Sequence, residues 1–280
     1  MMVLGWVLLA AFTAESFPPT GVTAIMVKVA ANQQAARDAR QNYVYRQEQS
    51  IRMRRANGKV ARELHADYVV TPGKDSADKQ LAKFEGKYES KGKYVAYDQP
   101  DFRYKGLDLD GDLIQDMAQD MMNDGQSRDG IGHDLFPLTA EEQAKYEFRL
   151  VRTEEYRGQK VYRVAFQPRR GADHGEDDFL WKGEALIDTE EYQPVLVTTS
   201  MAKKIPTAVK VLLGTDIKGL GFSIAYKKFA DGVWFPVSYG GEFQVRGLFF
   251  YKRSISVAMA NSDFRKTDVK STLVYAADAH

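Results

Sequence analysis

The residues able to do chemistry in this 280-residue chain are few and scattered. Its four histidines, His65, His133, His174 and His280, stand alone, and none forms a zinc-binding pair. Cysteine is absent, which excludes disulfides, thiol nucleophiles, thiolate metal sites and a lipid anchor on an N-terminal Cys. Asp108-Leu-Asp-Gly-Asp112 has the acidic look of a calcium loop. It lacks the alternating ligand spacing and closing glutamate of an EF-hand. His174-Gly-Glu-Asp-Asp178 reads as an acidic loop. Gly219-Leu-Gly221 precedes a strand instead of joining strand to helix, so it is not a dinucleotide fingerprint. Gly221-Phe-Ser-Ile-Ala225 fails the nucleophile-elbow pattern, and carboxylate neighbours such as Asp177/Asp178 and Glu190/Glu191 are ordinary in turns. The expectation is no catalytic residue, no metal site and no cofactor.

One side chain is out of place. Arg253 shares a strand face with Tyr251, Ile255 and Val257, so it should point inward. A buried guanidinium needs a carboxylate, a water-filled mouth or an anionic ligand. The other resolution is a bulge that turns it outward.

The elements that would position these residues follow from periodicity. Thr20 to Gln41 reads as a helix, with Val22, Ile25, Met26 and Val29 at helical spacing and Ala30, Ala31, Ala35, Ala36 and Ala39 continuing the stripe. Thr20 or Thr23 is its expected cap. From Asn42 the period becomes two: Tyr43, Tyr45, Gln47, Gln49, Ile51 and Met53 share one face. Asn57-Gly58 is the signature of a type I′ hairpin turn, and Val60 to Val70 returns as the partner strand. Arg52, Arg54, Arg55 and Lys59 sit at the tip and read as a solvated edge. Residues 74–92 are charged and weakly patterned, expected as a short helix or loop. Tyr94 to Tyr97 reads as a strand, and Gly111 to Asn123 reads as a helix, the core of an insertion at about 106–140.

Beyond the insertion the chain is nearly pure strand: 146–153, 160–167, 179–188, 194–202, 221–229, 233–246 and 248–260. Ile205 to Gly219 is expected as a crossing loop or short helix. The sum is nine or ten antiparallel strands. The run Trp181-Lys-Gly-Glu-Ala-Leu-Ile-Asp188 shows the logic. Trp181, Gly183, Ala185 and Ile187 alternate with Lys182, Glu184 and Asp188, giving one apolar and one wet face.

Collected strand by strand, the aromatic face presents Phe148, Tyr162, Phe166, Trp181, Phe222, Tyr226, Phe235, Tyr239 and Tyr251. A single sheet must cover such a face with another layer or by curling, and little helix is available. The fold class expected is mainly β with α: one strongly curved antiparallel sheet, an unclosed β-barrel, wrapped round the N-terminal helix. The nine aromatics would line its concave face, with Arg253 at the mouth to meet an anionic headgroup. An ordinary filled core is the competing reading.

Net charge is +1 with 28% charged residues, which offers no broad field for nucleic acid. Met1 to Thr13 is apolar, too short to span a bilayer and the right length for a signal-peptide core. Ala14-Glu15-Ser16 reads as a small-x-small cleavage site, and the competing reading is a buried N-terminal helix in a cytosolic protein. The organisation expected is a signal peptide at 1–16 and one domain over 17–280.

Several stretches carry a family resemblance: Tyr43, Tyr45 and Gln47 in the opening strand, Trp181-Lys-Gly-Glu-Ala-Leu-Ile-Asp188, and Asp231-Gly-Val-Trp-Phe-Pro-Val237. With the helix-first order and Asn-Gly hairpin, the chain resembles the lipoprotein-sorting carrier superfamily (LolA/LolB-like). The resemblance is closer to larger outer membrane lipoprotein-sorting protein-like sequences, and it covers most of residues 22–270. It implies a periplasmic binding or carrier protein that holds lipid or lipoprotein acyl chains in an apolar cavity without catalysis. Implied partners are those chains and an envelope protein; a monomer is expected. The chain departs from the sorting carriers in its extra segment at 74–140, which puts cargo and partner in question. The alternatives are an outer-membrane β-barrel, opposed by charged outward faces, and a secreted enzyme acting on envelope lipids or glycans, opposed by the lack of a catalytic constellation.

Overall fold

The computed structural model describes residues 21–73, 76–104, 108–112, 138–171, 180–202, 215–229, 231–247 and 251–267. Helix α1 (Val22–Arg40) is followed by β1 (Tyr43–Arg55), β2 (Val60–Thr71), β3 (Asp78–Ser90) and β4 (Lys93–Tyr97). Then come α2 (Ala140–Ala144), β5 (Tyr146–Tyr156), β6 (Gln159–Pro168), β7 (Trp181–Asp188) and β8 (Pro194–Met201). The chain continues through β9 (Thr215–Lys218), β10 (Ser223–Lys228), β11 (Trp234–Gly247) and β12 (Tyr251–Lys266). All twelve strands form one sheet in the order β4-β3-β2-β1-β12-β11-β10-β8-β7-β6-β5, with β9 also paired to β11. Every pairing is antiparallel. The first strand pairs with the last, so the N-terminal and C-terminal parts are sealed along β1 and β12, and the described sheet ends in two edges, β4 and β5. It is the expected mainly β fold, an open sheet with an N-terminal helix. Among the described residues the sheet is not closed, whereas a membrane-spanning barrel has to close its sheet. Among the described residues no helix is long and apolar enough to cross a membrane.

The alternation read in β1 is the alternation found. Tyr43, Tyr45, Gln47, Gln49, Ile51 and Met53 are all buried, while the residues between them are half-buried or exposed. Cross-strand partners share a face, so Met53 with Ile255 and Arg62, and Ile51 with Val257 and Leu64, carry the apolar surface from β1 onto its neighbours. Helix α1 lays Ile25, Met26 and Val29 on that surface, and these join residues of β1, β2, β5 to β8, β10, β11 and β12 in one core. The outward face holds the charges in pairs such as Arg46–Asp67, Arg52–Glu63 and Arg163–Glu184, each at 2.5 Å.

Several local expectations are corrected. Residues 78–90 are a 13-residue strand, neither helix nor loop. Residues 215–218 are a strand in what was read as a crossing loop or short helix, which with β3 brings the total to twelve. Helix α1 has Gly21 at its N-cap and no side-chain cap, so Thr23 does not serve. Ala31 and Ala35 are exposed, and Gln33 and Arg40 are buried on the helix's second half instead. At Asn57-Gly58 only Gly58 takes a positive φ, and Arg55 N–H donates to Lys59 O across a three-residue loop. That is the glycine-bulged hairpin, not type I′; Lys91-Gly92, with φ of 50° and 80°, has both residues in the left-handed region. Of the helix expected at Gly111 to Asn123, residues 109–112 form a helical turn and the remainder lies outside the described residues. The signal-peptide segment 1–16 also lies outside them, as do Thr20, His133, His174 and His280.

Candidate functional site

The middle of the core-facing surface is aromatic. Phe222 stacks on Tyr239 with ring centroids 5.1 Å apart and 17° between planes, and Trp181 meets Phe222 edge-on at 5.4 Å. Gly241 makes the stack possible, because a Cβ there would strike the Phe222 ring. Phe166 continues the patch, flanked by Tyr146 at 6.1 Å and Phe148 at 6.5 Å. Trp181, Phe222, Tyr239 and Phe166 are each at most 5% exposed, so they form a closed core beneath α1. Phe148, Tyr162, Tyr226 and Tyr251 are half-buried against it. One polar atom in this region has no answer: among the described residues the Tyr239 hydroxyl is buried without a hydrogen-bond partner. Burial pushes its pKa far above the ordinary tyrosine value, so it stays a neutral donor.

Phe235 does not join this patch. It is fully buried in a separate cluster with Tyr43 (5.1 Å), Phe229 (5.5 Å) and Phe264 (4.1 Å) at the opposite end of β1. Between the clusters runs a buried amide ladder. Gln49 Nε2 donates to Gln47 Oε1 at 2.8 Å, Gln47 Nε2 to Asn261 Oδ1 at 3.1 Å, and Asn261 Nδ2 to Pro236 O at 3.0 Å. The nine aromatics are therefore split between two apolar zones. The sequence motifs of the resemblance meet nearby: Trp234 Nε1 donates to Glu191 in the β7–β8 turn at 2.9 Å, and Arg40 at the end of α1 donates to Trp234 O at 3.2 Å.

At the other end of the same face the character changes. Arg253 points inward, as its strand parity requires, and Asp110 clasps it with both oxygens, Nε at 2.8 Å and Nη2 at 3.1 Å. Tyr251 donates its hydroxyl to Asp110 Oδ1 at 2.7 Å, and the Arg253 guanidinium lies 4.6 Å over the Tyr251 ring. Burial, then the Asp110 carboxylate, raise the Tyr251 pKa far above its usual value and keep it a donor. Of the resolutions open to a buried guanidinium, an internal carboxylate is the one present.

A second arginine accompanies it. Arg62, opposite Met53 on β2 and 3% exposed, donates to Asp108 Oδ2 at 2.6 Å, to Tyr97 Oη at 2.9 Å and to Phe102 O at 2.9 Å. Burial by itself would raise the Asp108 pKa; the amides of Tyr104 and Gly111 and the guanidinium of Arg62 outweigh it and hold it below the usual value. Asp112 pairs with Arg103 at 3.0 Å. All three aspartates of Asp108-Leu-Asp-Gly-Asp112 thus face arginines, and the calcium-like loop is a clasp that fastens residues 108–112 to β2 and β12. Among the described residues no cluster of His, Cys, Asp or Glu is arranged to hold a metal.

Between the two arginines lies a cavity of about 430 Å³, lined by Arg62, Arg253, Asp110, Tyr88, Tyr104 and Lys91 among others. Arg253 uses two N–H groups on Asp110 and one on the Lys252 carbonyl, which leaves donors of its five for the cavity. Arg62 escaped the reading of the sequence, yet its signal was there: it shares strand parity with Leu64, as Arg253 does with Ile255.

No protein-family model matches the chain, and no curated protein matches its sequence. Among solved structures it is similar to an outer membrane lipoprotein-sorting protein domain from Vibrio parahaemolyticus. The two share 15% identity over 87% of this chain and 94% of that one, with a TM-score of 0.33. A DUF1329 family protein from Desulfovibrio piger shares 13% identity over 89% and 94%, with a TM-score of 0.38. A LolA superfamily protein from Nitrosomonas europaea shares 9% over 84% and 94%, with a TM-score of 0.31. No residue role is carried over from them.

Proposed function

We propose that the protein is an exported, periplasmic binding or carrier protein for lipid or lipoprotein acyl chains, acting without catalysis. The observation that carries the reading is the pairing of a closed aromatic patch with a polar cavity along one face of an open sheet. An acyl chain lying between α1 and the Trp181–Phe222–Tyr239 patch would replace ring-on-ring contacts with chain contacts. Each buried methylene would contribute about 0.8 kcal/mol. A terminal carboxylate or ester would satisfy the Tyr239 hydroxyl, or would reach the remaining N–H donors of Arg253 and fix the chain's orientation more than its affinity. Phe148, Tyr162 and Tyr226, half-buried at the margin, would guide the chain in. Tyr251, bonded to Asp110, would hold Arg253 in place. Phe235, in its separate cluster, has no part in this arrangement.

The reading is tested by native mass spectrometry of protein produced in bacteria and by titration with a fluorescent fatty acid. Co-purified lipid and saturable one-to-one binding are expected. An Arg253→Leu variant should bind the fatty acid with reduced preference for anionic over neutral lipids. If parent and variant show the same preference, Arg253 has no ligand role; if neither binds, the aromatic patch is only a core.

A further inference from the structure

Six hairpin and strand ends come together at the cavity's end of the sheet: the end of β1 and start of β2, the end of β3 and start of β4, and the end of β11 and start of β12. These termini carry Arg54, Lys59, Lys91, Lys93, Arg246 and Lys252. Lys59, Lys91, Lys93 and Arg246 are exposed, and the other two are half-buried. Apart from Asp216, which lies opposite Arg246 in the β9–β11 register, the described carboxylates nearby are already engaged. Glu89 pairs with Arg55, while Asp108, Asp110 and Asp112 hold Arg62, Arg253 and Arg103. Among the described residues none of the six cations has a carboxylate partner, so this end presents uncompensated positive charge although the whole chain is nearly neutral. At the opposite end Lys228 is matched by Glu191, and Asp231 and Asp263 lie within four residues of Lys227, Arg265 and Lys266 along the chain.

The cations are interleaved with exposed apolar and amphipathic side chains. Tyr94 is 54% exposed, Tyr104 44% and Val95 40%. Tyr94 lies across to the start of β2, its hydroxyl 3.3 Å from Val60 O, with Lys87 over its ring. Adjacent strands are about 4.8 Å apart, so the hairpin tips form a row of cations across six strands instead of a groove that could track a nucleic-acid backbone. Tyrosines beside lysines suit the headgroup layer of a bilayer, where an amphipathic ring sits between water and acyl chains, and basic clusters there are drawn to anionic lipid.

We propose that this basic, tyrosine-flanked end of the sheet docks on an anionic lipid bilayer, with the 430 Å³ cavity opening beside the contact. The surface is defined by charge and exposure alone, so it stands whether or not the aromatic patch accepts an acyl chain. The test is co-flotation with large unilamellar vesicles of phosphatidylcholine, with and without phosphatidylglycerol. Binding is expected only to the anionic vesicles and is lost at about 0.5 M salt, where charges are screened within a few ångströms. Reversing Lys59→Glu, Lys91→Glu and Lys93→Glu together should lower partitioning at least about tenfold with the melting temperature unchanged. The matched reversal Lys227→Glu, Arg265→Glu and Lys266→Glu at the far end should leave it as in the parent. Equal partitioning of the two triple variants, or parent binding that ignores phosphatidylglycerol, overturns the proposal. So does loss of heparin binding in the first variant with vesicle binding intact, which would assign the patch to a polyanion. Fatty-acid titration of a Lys59→Glu, Lys93→Glu double variant, which spares Lys91 on the cavity wall, keeps the two readings separate.

Discussion

Two regions on one face of this sheet settle their buried groups by opposite means. In the middle, Trp181, Phe222 and Tyr239 pack ring on ring, and the Tyr239 hydroxyl has no partner among the described residues. Toward the end of the same face, Arg62 and Arg253 are each answered by an aspartate from residues 108–110. The first region needs only area and shape, and any apolar chain of suitable length could compete for it. The second needs partners at fixed distances, and loses most when one partner is removed. A carrier that grips its cargo without specific chemistry while fixing its orientation would use both.

The largest effects should come from breaking either region at its centre. Arg62→Ala would leave Asp108 buried and unpaired and should cost about 3–5 kcal/mol, seen as a lowered urea midpoint. Phe222→Ala should cost a similar 3–5 kcal/mol through lost burial and a cavity. The two are distinguished by their repair. A double Arg62→Met, Asp108→Leu variant should recover most of the first loss, whereas no substitution at a neighbouring charge should recover the second. If Arg62→Ala proves harmless, residues 108–112 are not clasped as described.

A middle-sized effect is expected from pH. Asp108 has a folded pKa below its unfolded value, so its stabilisation is fully present above the unfolded pKa of about 4 and is lost as pH falls through the lower folded value. The Asp108→Asn variant should be less stable at neutral pH and should lose less than the parent between about pH 4 and pH 2. Equal acid limbs in denaturant titrations of the two proteins would contradict the clasp.

The smallest effect distinguishes the regions most finely. Tyr239→Phe removes the unpartnered hydroxyl, and should leave stability unchanged or raise it by about 1 kcal/mol. Tyr251→Phe removes a hydroxyl that is bonded to Asp110 and should cost about 1 kcal/mol. Opposite signs in thermal melts are the expected outcome; a loss of stability in both would mean that the Tyr239 hydroxyl has a partner.

Much of this was legible along the chain because alternation is a strong signal wherever one face is buried. It placed the inward row of β1, the inward aim of Arg253 and the aromatic face of β7, β10 and β11. It failed where burial is one-sided or thin. Strand β3 lies one place from the sheet's edge, and only Gly86 in it is fully buried, its space taken by the Tyr97 ring. A run of lysines and glutamates there gives no period to read. The pairing of Asp108 and Asp110 with arginines 46 and 143 residues away in sequence has no local signature. The acidic loop therefore had only the outline of a calcium site, and the carboxylate among the resolutions open to Arg253 could not be named. Phe235 was assigned to the wrong neighbours because a register shift between β10 and β11 at Ala225/Tyr226 breaks the parity that joins it to Tyr239.

The most direct test of the account is energy transfer from Trp181 to a bound polyene fatty acid. If chains lie along the Trp181–Phe222–Tyr239 patch, titration should quench tryptophan emission saturably at one-to-one stoichiometry. Trp181→Phe should remove most of that transfer while Trp234→Phe, at the far aromatic cluster, should remove little. Absence of saturable quenching in the parent, or transfer that survives in Trp181→Phe and vanishes in Trp234→Phe, would contradict it.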